Sequence, residues 1–249
     1  MMDAIAHWFK WLSNQHGINY SVFFDNYDQT LFLKGLKTTI ILSLACIALS
    51  ILVGLIGAWL QGSRIRAARV GTAMFVQFFR NTPPLVQLAF FYYAVSALLP
   101  MVTDSFGAQT PLINNLGWAI ISFSLFAGAF NIEIFRSGIE AVPSAMTEAA
   151  ESLGYTRFQI YRIVVIPIAF RICLPSLGNN LVNLVKTTTL AYAIGVPELL
   201  YASAQIWSEA MNVREMMVLL LITYVALVAI LVAVMQRWEK SLRVPGYVS

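Results

Sequence analysis

The run Ile40-Ile41-Leu42-Ser43-Leu44-Ala45-Cys46-Ile47-Ala48-Leu49-Ser50-Ile51-Leu52-Val53-Gly54-Leu55-Ile56-Gly57-Ala58-Trp59 holds no charged side chain. As a helix rising about 1.5 Å per residue it covers roughly 30 Å, the thickness of the hydrocarbon core of a bilayer. It is the heart of an apolar segment at 36–60, and four more follow at 82–99, 116–135, 172–195 and 216–236. Lipid offers backbone polar groups no partner, so a crossing segment must satisfy its own, and the alternation of a barrel strand is absent. These segments predict an all-α integral membrane protein with five transmembrane helices.

Composition supports the same class. The 249 residues are 59% hydrophobic and only 11% charged, and the mean hydropathy is +0.72. A soluble domain carries about a quarter charged residues. The net charge of +4 could be mistaken for a nucleic-acid footprint, but the sixteen basic residues are scattered and no aromatic residues alternate with them. No nucleic-acid partner is expected. Cys46 and Cys173 both fall in apolar stretches and read as small core residues, not as a disulfide framework or a metal site. No cofactor or metal is expected in this chain.

The charges set orientation instead. Between the first two spans lies Gln61-Gly62-Ser63-Arg64-Ile65-Arg66-Ala67-Ala68-Arg69, with three arginines and no acid, which the positive-inside rule places in the cytoplasm. The loop 100–115 then lies outside, and it carries Asp104 and no basic residue. Eleven basic residues fall inside against four outside (Lys10, Lys34, Lys37 and Arg214), with Lys186 within a span. An odd number of crossings gives N-terminus out and C-terminus in. Residues 1–33 are an extracytoplasmic or interfacial tail, since His7-Trp8-Phe9-Lys10-Trp11 is amphipathic and is broken by the polar stretch Ser13 to Gln15. Residues 34–249 form the transmembrane domain. Ahead of span two, Ala67 to Arg80 reads as a cytoplasmic-side helix, and Asn81 or Thr82 before Pro83-Pro84 is placed to cap the span.

The most informative polar stretch is Val142-Pro143-Ser144-Ala145-Met146-Thr147-Glu148-Ala149-Ala150-Glu151-Ser152-Leu153-Gly154-Tyr155-Thr156-Arg157-Phe158-Gln159. Pro143 and Ser144 start a short helix and Gly154 sits where a left-handed residue ends one. Thr156 and Gln159 have the spacing of a capping box, so a second helix begins at once and runs toward Pro167. A polar helix of about 145–152 is too short to be stable alone. It needs a partner surface, which Ala149 and Ala150 would let approach and which Glu148 and Glu151 would meet with charge.

Glu148-Ala149-Ala150, then Gly154, then Val164, Ile166 and Pro167, resembles the signature of the permease subunits of binding-protein-dependent ABC importers: Glu-Ala-Ala, three residues, Gly, nine residues, Ile, one residue, Leu-Pro. The spacing is kept and both departures are conservative. Three further stretches resemble the polar amino acid branch of that family: Phe79-Arg80-Asn81-Thr82-Pro83-Pro84-Leu85-Val86-Gln87, Glu133-Ile134-Phe135-Arg136-Ser137-Gly138-Ile139, and Leu184-Val185-Lys186-Thr187-Thr188-Thr189-Leu190 with Ile194-Gly195-Val196. The resemblance implies a type I importer permease fold in a bacterial inner membrane, with a coupling helix at about 144–154 in which Glu148, Ala149, Ala150 and Gly154 meet the ATPase. It also implies a second permease subunit, identical or homologous, an ATP-binding subunit dimer that binds ATP and magnesium, an extracytoplasmic solute-binding protein and an amino acid substrate. The chain itself is then a transport subunit and not an enzyme, in keeping with its lack of a phosphate-binding glycine loop.

Ionisable groups inside a bilayer are costly, about 2.5 to 3.5 kcal/mol on insertion scales, and usually face a cavity, a partner or a ligand. Glu133 lies one helical turn before Arg136, so it reads either as a local ion pair or as a pathway residue. Lys186, followed by Thr187 and Thr188, reads either as a pathway residue or as an interhelical one, and Asn179, Asn180 and Asn183 extend a polar face on the same helix. Thr187 stands where the family often has an acid. Lys186 is thereby left less neutralised, which favours an acidic or amide amino acid over a cationic one, and Leu242-Arg243-Val244-Pro245-Gly246 resembles the glutamate and aspartate group. An intramembrane enzyme is disfavoured because His7 and His16 are both in the tail. A channel or ion-coupled secondary carrier remains the alternative, but it would have no use for the Glu-Ala-Ala element.

Overall fold

A computed structural model describes residues 2–103 and 107–242. Asp104 and the motif beyond Leu242 lie outside the described residues. The chain order is α1 (Met2–His16), α2 (Asn26–Gln61), α3 (Arg66–Asn81), α4 (Pro84–Ala89), β1 (Met101–Thr103), β2 (Gln109–Pro111), α5 (Asn115–Glu140), α6 (Ser144–Ser152), α7 (Arg157–Ile160), α8 (Ile166–Thr187), α9 (Leu199–Ala210) and α10 (Val213–Leu242).

Among the described residues, four helical runs are long and apolar enough to cross a membrane: Asn26–Gln61, Asn115–Glu140, Arg157–Ile194 and Val213–Leu242. The segment expected at 82–99 is a shorter apolar helix, Pro84–Leu98. Its start is dictated by proline. Thr82 precedes Pro83, is driven out of the helical region and is extended at φ −112°, ψ 142°. The hydroxyl of Thr82 donates back to the Phe78 carbonyl, and the amide of Asn81 donates back to Gln77.

One expectation needs correction. The protein is mostly helical and not all-α, because β1 and β2 pair antiparallel with Val102 opposite Thr110. Two β-branched residues in Met101-Val102-Thr103 and a left-handed Gly107 at φ 83° favour a hairpin there. The N-terminal segment is a single helix, which runs through the polar residues Ser13 to Gln15.

The described chain divides into two compact units. The first comprises Met1–Ala45, Leu85–Ser122 and Val185–Val228. Its core joins Val22, Phe32, Leu199, Ile206 and Met216. The second comprises Cys46–Pro84, Phe123–Leu184 and Ala229–Ser249, with a core of Phe135, Cys173, Leu174, Leu177, Leu181 and Met235. Cys46 and Cys173 are buried, as their apolar surroundings predict. In the second unit α2 and α5 approach closely: a Cβ added at Gly54 would lie 2.5 Å from the Asn131 Cβ. Small residues are what permits such an approach where lipid supplies no hydrophobic driving force. At that crossing Asn131 donates to the Ser50 hydroxyl at 3.3 Å, and Asn180 of α8 donates to Asn131 at 2.8 Å and to the Ala127 carbonyl at 3.0 Å. Neutral amides thus tie three helices together with their hydrogen bonds satisfied.

Candidate functional site

Local chemistry fixes the element between α5 and α8. α6 begins directly after Pro143. It ends in a double closure: the Gly154 N–H donates to the Glu151 carbonyl at 2.9 Å and the Tyr155 N–H to the Ala150 carbonyl at 3.2 Å. This is the Schellman pattern, and it requires a left-handed residue, which Gly154 supplies at φ 82°. A Cβ at Gly154 would meet nothing within 4 Å, so only backbone conformation demands glycine there. α7 then starts on the capping box the spacing predicts, with the Thr156 N–H donating to Gln159 Oε1 at 2.8 Å and the Gln159 N–H to Thr156 Oγ1 at 3.4 Å. The helix widens to a π turn over Tyr161–Val165 ahead of Pro167, whose ring and missing N–H disrupt the regular ladder.

The two alanines of the motif face different ways. Ala150 is buried against Ile160 and Val165, with Ile139, Val142 and Val164 around them. Its methyl therefore seats α6 on the next helix instead of meeting a partner. Ala149, Glu148 and Glu151 are exposed. Beside them stand large exposed apolar side chains that the sequence reading passed over, Leu153 (78% exposed) and Phe158 (73%), with Tyr155 between. The signal was present: two apolar residues flank the glycine in a polar segment.

Glu133 lies in the second unit and is committed to local partners. Arg136 reaches it at 2.9 Å and also binds Glu140 at 2.7 Å, while the Gln61 amide donates to Glu133 at 3.2 Å. The Arg80 guanidinium stands 5.2 Å from the centroid of the Phe130 ring. On α8, Ser176, Asn179, Asn183 and Lys186 are exposed, and Asn180 and Thr187 are half-buried. These residues are three or four apart, so they share one face along most of the helix. Thr188 does not join them: it is fully buried and its hydroxyl donates to the Val185 carbonyl at 2.7 Å. At that point the helix tightens into the 3₁₀ run Thr188–Ile194 and stops at the left-handed Gly195.

The first unit contains a buried carboxylate that the sequence reading missed. Glu198 is completely buried at the N-cap of α9, where it accepts from the Leu200 and Tyr201 N–H groups at 2.9 and 2.8 Å and from the Tyr224 hydroxyl at 2.9 Å. The Leu199 N–H is taken by Thr39 of α2 at 2.9 Å. Burial pushes the Glu198 carboxyl above the ordinary range, and the two N–H bonds and the tyrosine pull it back in part.

Residues 50–244 match the family described as "Binding-protein-dependent transport system inner membrane component". The chain belongs to this family. Among its relatives, the "Probable amino-acid permease protein YxeN" of Bacillus subtilis (strain 168) is 30% identical over 213 residues, 86% of this chain and 92% of that protein. The "Histidine/lysine/arginine/ornithine transport system permease protein HisQ" of Salmonella typhimurium is 31% identical over 173 residues, 70% of this chain and 76% of that protein. A solved structure described as "Crystal structure of an amino acid ABC transporter with histidines" superposes with a TM-score of 0.75 at 27% identity, covering 86% of this chain and 94% of that one.

The protein is thus a membrane permease subunit of a binding-protein-dependent ABC transporter, and its fold is that of the importer permeases. Membership of the family implies an ATP-binding subunit and a solute-binding protein as partners. For this permease the described residues hold no cluster of three or more His, Cys, Asp or Glu able to take a metal.

Proposed function

We propose that this permease forms, with a second permease chain, the pathway of an ATP-driven importer for a polar amino acid, and that α6 is the element through which a partner ATPase moves it. ATP and magnesium belong to that partner. The observation that carries the reading is the surface left by the α6 turn: Glu148, Ala149, Glu151, Leu153 and Phe158 are all exposed along α6, the turn that follows it and the start of α7, a path fixed by the Gly154 closure and the Thr156 capping box. A mixed apolar and acidic knob of this kind suits a cleft on another protein. The basic residues around α3 and the C-terminal end of α10 support placing α6 in the cytoplasm, with five crossings in which Pro84–Leu98 takes part in the second.

In this reading the polar face of α8, Ser176 to Lys186, lines the pathway. Lys186 has no carboxylate within ion-pair distance among the described residues, and Thr187 follows it. An unneutralised ammonium on that face favours a substrate with an acidic or amide side chain. A cationic substrate is the second reading, favoured by the named substrates of the HisQ relative. Glu133 then acts indirectly, by holding Arg136 and Gln61 in place. ATP and loaded binding protein must prefer the same outward-open state, because a ligand shifts an equilibrium only by its differential affinity.

Competition uptake in proteoliposomes holding the complete transporter tests the substrate class. Glutamate, aspartate or glutamine is expected to be carried, with Lys186→Glu reversing the charge preference. Uptake of arginine or histidine alone contradicts it. Uptake driven by a proton or sodium gradient without ATP contradicts the importer reading itself.

A further inference from the structure

The N-terminal helix α1 divides into three arcs. Phe9 and Leu12 turn toward the chain, and Phe9 stacks on Phe23 with ring centroids 4.4 Å apart. His7, Lys10 and Asn14 form an exposed polar arc. Between these arcs Ala4, Trp8, Trp11 and Gln15 follow one another at helical spacing with Ile5 beside them, and the three large ones are half exposed: Ile5 46%, Trp8 54%, Trp11 51%. Water does not favour two neighbouring tryptophans so exposed. The level of lipid headgroups does, because the indole ring is apolar with one polar edge.

The attachments of α1 say what covers this arc. α1 stops at Gly17, left-handed at φ 66°, and α2 begins at Asn26. The connection is short and fully built: the Phe24 and Asp25 N–H groups donate to the Ser21 carbonyl, and Asp25 caps α2 by accepting from Tyr27 and Asp28. α2 carries about 15 Å of helix ahead of its apolar segment at 36–60, so what brings α1 to the membrane surface is a second fastening, to the turn just ahead of the apolar segment 216–236 of α10. The Asn212 amide donates to the Asn19 carbonyl at 2.9 Å and to the Ser21 hydroxyl at 3.1 Å, while Asn19 donates to the Ala210 carbonyl at 3.4 Å. The turn from α9 to α10, with Met211 left-handed at φ 52°, is therefore clamped to the root of α1.

We infer that α1 is an amphipathic membrane anchor that lies in the headgroup layer on its Ile5, Trp8 and Trp11 side, and that through the Asn19–Asn212 clamp it holds the α9–α10 corner at the lipid surface. The occupant of the arc is phospholipid. The polar arc of His7, Lys10 and Asn14 faces water.

Single cysteines at Ala4→Cys and Gln15→Cys on the tryptophan side, and at His7→Cys and Asn14→Cys on the polar arc, test the inference in the assembled transporter. The native Cys46 and Cys173 are buried, so an environment-sensitive fluorophore reports the introduced site. In phosphatidylcholine vesicles containing lipid nitroxides, labels at 4 and 15 are expected to be blue-shifted and quenched severalfold more than labels at 7 and 14. Adding Asn212→Ala should bring quenching at 4 toward that at 14. Equal, weak quenching at all four positions overturns the inference. So does shielding of positions 4 and 15 that appears only when solute-binding protein is added, which would assign the arc to a protein partner.

Discussion

The α6 element in the second unit and the Glu198 stitch in the first are both helix-end devices, built in opposite ways. α6 is closed by neighbours: Pro143 before it, Gly154 after it, and Thr156 with Gln159 capping the next helix, every partner within a few residues. Glu198 gathers α9 with the help of Thr39 and Tyr224, which come from α2 and α10. The first is assembled from exposed, neutral or solvated groups and leaves a surface for a partner. The second buries a carboxylate completely and leaves nothing exposed. A device meant to be gripped needs local rigidity, whereas one meant to hold helices together has to reach across the sequence.

The largest effect expected from breaking this contrast is at Glu198. Glu198→Ala removes the cap of α9 and leaves the Tyr224 hydroxyl and two N–H groups without their acceptor, a cost of about 2 to 4 kcal/mol. Thermal unfolding of the purified transporter in detergent should show a clear drop in midpoint, with Tyr224→Phe giving a smaller one.

Next comes the polar tie between α2, α5 and α8. Asn131→Leu removes bonds to Ser50 and Asn180 and enlarges a side chain already against Gly54; the lost interhelical bonds alone are worth about 0.6 to 2 kcal/mol. The same unfolding assay should place it between Glu198→Ala and Thr156→Ala. Thr156→Ala, which removes one cap on an exposed helix, should cost about 1 kcal/mol or less.

The smallest and most specific effect is pH dependence. Burial holds the Glu198 carboxyl above its ordinary range in the folded state. The folded protein therefore binds the proton more tightly than the unfolded one. Its stability from this group is greatest at low pH and declines as pH rises from the ordinary carboxylate range to the elevated folded value. Glu198→Gln should flatten that decline in stability measured against pH, and an unchanged slope would show that another group is responsible.

The contrast also explains what was legible in the sequence. The caps of α6 and α7 could be read because their donors and acceptors are sequence neighbours, and the apolar runs of α2, α5 and α10 because hydropathy is additive along a helix. The part assigned to Ala150 could not be read correctly, since only the position of Ile160 and Val165 decides that its methyl turns inward. Thr188 looked like its neighbours Lys186 and Thr187, yet the tightening to a 3₁₀ turn rotates it into the interior. Glu198 gave no local sign, because the Tyr224 hydroxyl and Thr39 that mark its place are distant in the chain. The hairpin at Met101–Pro111 was hidden by its brevity beside long apolar segments.

The central claim is that the rigid α6 turn transmits ATPase motion to the permease, and Gly154 tests it most directly. Its left-handed conformation admits asparagine at small cost but costs leucine roughly 1 to 2 kcal/mol. ATP hydrolysis and amino acid uptake should be measured together in proteoliposomes containing the complete transporter and loaded binding protein. Gly154→Leu is predicted to assemble but to lose most uptake and most stimulation of hydrolysis, while Gly154→Asn keeps most of both. Full, ATP-coupled uptake by a normally assembled Gly154→Leu transporter would contradict the account.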